Sequence, residues 1–175
     1  MGAGTLRPGA RYAATVPRQL KRAAAPAPPG GVLLASEGRP IPKAAVEKAA
    51  ELARASGVPV HVFAIARIYG VAFAFPNPWL RPNAREWQAQ RDSVAGAIKG
   101  LEGKGIEADG NILGTRKATK RIVGVAKQLG CEAIVMAADP PRNRLVANAM
   151  WSQEPYRVKR RARIPVHLVV AESAG

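Results

Sequence analysis

At 175 residues the chain has the length of one domain with a flanking tail, long enough to bury a core without staples. Nearly half of it is apolar, yet no uninterrupted apolar stretch approaches the length of a bilayer span, so a soluble, cytoplasmic protein is expected. Lys and Arg number 27 against 12 acids, a net charge of +15 that favours a polyanion or anionic surface as partner and says nothing about fold; a coding bias toward Arg and Ala would give the same balance.

Residues 1–30 differ in composition from the rest of the chain. Arg7, Arg11, Arg18, Lys21 and Arg22 meet no acid, and the segment closes on a Pro- and Ala-rich linker, the composition of a basic, disordered arm. Residues 31–175 form the folded domain. Its first run, VLLAS from Val32, is short and apolar and ends in the turn-forming EGRP. From Lys43 the period becomes helical, with Val46, Ala49, Ala50 and Ala53 on one face and Gly57 closing the element. A second strand runs from Val58. It contains His61, which, with only His167 elsewhere, makes no metal-ligand cluster and reads as an ordinary strand residue.

Three prolines and a glycine interrupt the segment from Tyr69 to Pro82, although Phe73, Phe75 and Trp79 require it to pack on something. Asn83 and Glu86 then have the spacing of a capping box, and Trp87, Val94, Ile98 and Leu101 give the next helix an inner face. IEADGNIL reads as a third strand. From Gly114 the pattern predicts a helix with Ala118, Ile122, Val125, Ala126 and Leu129 inward, a turn at Gly130, and a wholly apolar fourth strand from Ala133 to Ala137. A strand apolar at every position must be covered on both faces, which is the mark of a parallel sheet. Cys131, the one cysteine, reads as a small core residue at the entry of that strand. Leu145, Ala149 and Trp151 suggest a further helix that Pro155 interrupts or ends, and VHLVV is the last strand. The expected fold is α/β: one doubly wound domain with a five-stranded parallel sheet flanked by about four helices.

The order and spacing of three segments resemble the universal stress protein family over residues 31–171: VLLASEG with Glu37 and Gly38, GTRKATKRIVGVAKQLGCEAIVMA, and PVHLVV. The resemblance implies the family's five-stranded sheet and dimerisation through the last strand. It also implies an ATP site, built in that family on Gly, two residues, Gly, nine residues, then Gly with Ser or Thr. Glycines let the backbone approach the phosphates, and free N–H groups bind them. Here Ala137 and Pro140 stand at the first two glycine positions, and the last falls near Met150 or Trp151 with Ser152 beside it. No glycine occurs between Gly130 and Gly175, so the triphosphate cradle is expected to be dismantled. If a nucleotide site is retained, the resemblance assigns it to Glu37, Gly38, Ala137, Arg142 and Ser152.

Charge is the candidate replacement. In an open parallel sheet the ends of the strands and the N-termini of the helices after them share one rim. Arg39 and Lys43 come after the first strand, Arg116, Lys117, Lys120 and Arg121 begin the third helix, and Arg142 and Arg144 come after the fourth strand. A second cluster, Arg157, Lys159, Arg160, Arg161 and Arg163, precedes the last strand. These are the candidate polyanion-binding residues; separate solvated faces are the bland alternative. No nucleophile–base pair, carboxylate pair or metal cluster stands out, so no enzyme, metal or cofactor is expected. The reading is a non-catalytic, stress-protein-like binding or regulatory module without conventional ATP binding. Two alternatives stand beside it. One is an RNA- or ribosome-associated accessory protein using the basic rim and arm, with Trp79, Trp87, Trp151 and Tyr156 available for stacking. The other is a nucleotide-binding protein with an altered phosphate site.

Overall fold

A computed structural model describes residues 30–67, 84–139 and 153–170. The described chain alternates β1 (Val32–Glu37), α1 (Lys43–Ser56), β2 (Val60–Arg67), α2 (Ala84–Glu102), β3 (Ala108–Thr115), α3 (Ala118–Gln128), β4 (Ala133–Ala138), α4 (Glu154–Arg161) and β5 (Val166–Val170). All strand pairs are parallel, in the order β3-β2-β1-β4-β5. The expected doubly wound α/β sheet is therefore what the chain forms. The arm, the segment around Trp79, Asn83 and the proposed helix at Leu145–Trp151 lie outside the described residues, as do Arg142, Arg144 and Ser152.

Period-two alternation in β1 feeds two cores. Val32 and Leu34 turn toward α1 and α2, where Ala45, Val46, Ala49, Val94 and Leu101 cover them. Leu33 and Ala35 turn the other way, against Ile122, Ala126, Ile134 and Val158. Alanine-rich α1 lies close to the sheet because its buried face, Ala45, Val46, Ala49, Ala50 and Ala53, is almost without long side chains. The inner face of α2 is Gln90, Val94, Ala97 and Leu101, while Trp87, expected there, is half-buried.

Two boundaries differ from the sequence expectation. Gly114 and Thr115 complete β3 rather than open a helix; α3 begins at Ala118, so Arg116 and Lys117 belong to the connection and Lys117 is the N-cap. Pro155 does not end a helix. It stands in the first turn of α4, where its missing N–H has no intrahelical partner to lose and its fixed φ suits the helix. Gly130 does end α3 as expected: its φ of 67° is the left-handed conformation of a helix terminus, and the Cys131 N–H closes the turn on the Ala126 carbonyl at 2.8 Å. Cys131 is buried, and burial pushes its thiol up to about 11, so at neutral pH it is a protonated core side chain.

His61 does more than fill a strand position. It is 3 % exposed, its Nδ1 lies 3.0 Å from Asp109 Oδ1 on β3, and its Nε2 lies 3.0 Å from the Gly30 carbonyl at the start of the domain. Both partners are acceptors, so satisfying both requires both ring nitrogens to carry protons. The hydrogen bond to Asp109 is the largest influence raising the imidazole pKa; burial opposes it, and the Gly30 carbonyl and the charges of Asp109 and Glu107 add to it. The charged ring thus ties Gly30 to β2 and β3.

This packing leads to two expected outcomes. Because the folded pKa of His61 lies above its ordinary 6.5, its contribution to stability is complete below that value and is lost as pH rises through the folded value. Urea midpoints measured at about pH 5.5 and about pH 8.5 should fall toward the alkaline side, and His61→Gln should flatten that fall. Equal pH dependence in both proteins would refute the charged-ring account. At Gly110, a Cβ would meet Val94 Cγ1 at 2.6 Å and Ile98 Cδ1 at 2.8 Å, because α2 rests directly on β3 there. Gly110→Ala should cost about 1–3 kcal/mol in chemical denaturation.

Candidate functional site

The C-terminal ends of β1 and β4 lie side by side, with β2 beyond one and β5 beyond the other, so the chain leaves the sheet in opposite directions from this point. Such a switch point opens a crevice in parallel sheets. Here the crevice is small: about 10 Å³, lined by residues that include Ser36, Glu37, Arg39, Pro42, Ala137 and Pro155. That is room for about one water molecule, whereas a small-molecule pocket needs about 300 Å³ or more.

Three polar contacts organise this crevice. Ser36 Oγ donates to the Arg39 carbonyl at 2.6 Å, folding the turn after β1. The Arg39 guanidinium donates two parallel hydrogen bonds to Asp139, Nη1 to Oδ1 and Nη2 to Oδ2, both at 2.8 Å, joining the turn after β1 to the end of β4. Tyr156 Oη donates to the Asp139 carbonyl at 2.9 Å, bringing α4 into the same clasp. The hydrogen bonds to Asp139 hold the Arg39 pKa above its ordinary value. Glu37 is 3 % exposed at the end of β1, Gly38 turns the chain with φ 68°, and Ala137 lines the crevice.

A second arrangement lies beside it, between α3 and α4. The α3 N-cap, Lys117, makes no side-chain capping bond. The Glu154 carboxylate from the first turn of α4 does that work: Oε1 accepts from the Thr119 N–H at 2.9 Å and from Thr119 Oγ1, and Oε2 accepts from Arg157 Nη1 at 3.3 Å. Glu154 is 7 % exposed, so one buried carboxylate satisfies donors that an external anion would otherwise take. Around it, Lys117 at the N-cap of α3 and Lys120 in its first turn face Arg157, Arg160 and Arg161 of α4 across an open groove of about 690 Å³.

The structure thus gathers part of each predicted cationic cluster and disperses the rest. Lys117, Lys120, Arg157, Arg160 and Arg161 share the groove. Arg39 is bound to Asp139, and Lys43 stands 3.8 Å from Glu47 on α1. Lys159 lies instead by β5, near Glu47 and Glu51 of α1. Arg116, Arg121 and Arg163 do not line the groove. Of the predicted aromatic residues, Trp79 and Trp151 lie outside the described residues, and Tyr156 is engaged by Asp139. Sequence reasoning missed Asp139, Thr119 and Glu154. The one local signal for Glu154 was its place before Pro155, an acid and a proline opening a helix.

A family model described as the universal stress protein family matches residues 31–170. The chain belongs to that family. Among solved structures, it is similar to a universal stress protein from Archaeoglobus fulgidus, at 22 % identity and a TM-score of 0.59 over 79 % of this chain and 96 % of that one. A structure of the universal stress protein from the same organism in complex with dAMP matches at 20 % identity and a TM-score of 0.57, over 79 % and 95 % of the two chains. A universal stress protein family member from Burkholderia pseudomallei matches at 16 % identity and a TM-score of 0.56, over 81 % and 96 %. At these identities the likeness shows the shared fold. Among curated proteins, none matches the chain. No helix among the described residues is long and apolar enough to cross a membrane.

Removing the Glu154 carboxylate exposes what it does for α3. Glu154→Ala should lower stability by about 1–3 kcal/mol, the cost of leaving buried donors unsatisfied. Glu154→Gln, which keeps an acceptor oxygen, should recover most of that loss in the same denaturant titration.

Proposed function

We propose that this universal stress protein is a non-catalytic binding or regulatory module that does not bind ATP in the conventional way. The observation that carries the reading is the opening of α4. A phosphate cradle needs backbone N–H groups and positive potential at the helix after β4. Among the described residues the helix after β4 is α4, and its first turn presents a carboxylate, Glu154, and a proline, Pro155, which has no N–H. The small crevice at the switch point and its Arg39–Asp139 clasp support the same reading. So does the state of Ser36, the one hydroxyl side chain among the described residues lining the crevice, whose Oγ donates to the Arg39 carbonyl. The module works without a metal or cofactor, in the cytoplasm. It pairs with a second copy through β5, an edge strand among the described residues whose Val170 is 45 % exposed.

One observation favours a second reading, an adenine nucleotide held through side chains in place of backbone. Glu37 is a buried carboxylate at the end of β1, beside the crevice, where it is placed to accept from a ribose hydroxyl if the clasp opens. Isothermal titration of ATP into the full chain separates the two. No saturable heat is expected. Stoichiometric binding that Glu37→Gln abolishes would overturn the first reading in favour of the second.

A further inference from the structure

We propose that the groove between α3 and α4 binds single-stranded nucleic acid through its phosphodiester backbone. The charge there is uncompensated. Arg157 is held by Glu154, but Lys117, Lys120, Arg160 and Arg161 take part in no ion pair among the described residues. Lys117 and Lys120 also stand at the N-terminal end of α3, where a helix dipole disfavours cations. Four like charges converging on one groove repel one another, and a bound polyanion relieves that repulsion.

The form of the groove selects the kind of anion. A single phosphate group binds best where several backbone N–H groups converge, and at α3 the Thr119 N–H is already taken by Glu154. What remains is side-chain charge in two facing rows. Arg157 and Arg160 lie three residues apart on α4, about one turn or roughly 5 Å, and Lys117 at the N-cap of α3 stands three residues before Lys120 in its first turn, so each side of the groove carries charge at two successive positions. Repeated charge along a line suits a repeated phosphate. The groove is open, and a flexible single strand can adjust its phosphates to both rows, whereas a duplex holds its phosphates at fixed positions on a rigid convex surface. Base edges are not read by such a site, so binding should depend little on sequence or on the sugar.

Fluorescence anisotropy of a labelled oligouridylate with the full chain tests this. Saturable binding is expected, with log affinity falling against log salt at a slope of about −3 for four phosphates, roughly fiftyfold between about 50 and 200 mM. The K120E/R160E double variant should bind at least about tenfold more weakly, with a shallower slope. K104E/K127E makes the same change in net charge at the ends of α2 and α3, on the opposite rim, and should stay within about twofold of the parent. Oligothymidylate should compete as well as oligouridylate. Three results would overturn the proposal: no saturable binding at low salt, an equal loss in both double variants, or stronger competition by duplex DNA or phosphatidylserine vesicles than by oligothymidylate at equal anion concentration. Circular dichroism melts of both variants establish that each is folded. ATP binding that leaves oligouridylate bound would defeat the reading of the crevice and leave this one standing, so the two fail separately.

Discussion

All six residues of β1 are buried, and the strand is hydrogen-bonded in parallel to β2 on one side and to β4 on the other. A strand enclosed this way needs helices on both faces, since each face is apolar and neither can be left to water. From that requirement come the two cores, the alternation of strands with helices, and the reversal of chain direction at the β1–β4 boundary. The reversal in turn decides where a ligand would meet the sheet, because there the connections diverge and leave the strand ends uncovered.

At that boundary the protein supplies its own counter-charges. Asp139 occupies the Arg39 guanidinium through two parallel hydrogen bonds, and Glu154 occupies the first donors of α3. Each contact joins elements far apart in sequence: Arg39 and Asp139 are separated by 100 residues, Thr119 and Glu154 by 35. Each also occupies groups well suited to holding a phosphate, a guanidinium in one case and the N–H and hydroxyl of Thr119 in the other. A mobile ligand at either place must displace a carboxylate already held by good geometry. Among the described cations without an ion pair, four gather in the α3–α4 groove, and this is why we propose anion binding there and not at the crevice.

Local pattern carried most of the fold. The alanine face of α1, the turn at Gly130 and the apolar run of β4 are fixed by neighbours within a few residues, and each is where the sequence puts it. β3 was harder to read because, among the described residues, it is an edge strand, half-exposed, with Asp109, Gly110 and Asn111 where an interior strand would carry apolar residues. Its last two residues read as the beginning of a helix because Gly114 breaks the pattern there, while the ladder to Ala66 and Arg67 keeps it extended. Pro155 was read as a stop because proline interrupts a helix interior; at a first turn the same ring is an opening, and only the placement of the helix distinguishes the two.

By itself the sequence determined the alternation of elements, the parallel sheet, the likeness to the universal stress protein family and the absence of glycine after β4, since these depend on residue type and short-range period. Which charges are free was decided by tertiary structure alone. A list of cations cannot show that Arg39 meets Asp139, that Lys159 faces α1, or that Lys117 and Lys120 share a groove with Arg160 and Arg161. Electrostatic pairing depends on distance through space, and that distance is set by how α3 and α4 lie together over one face of the sheet.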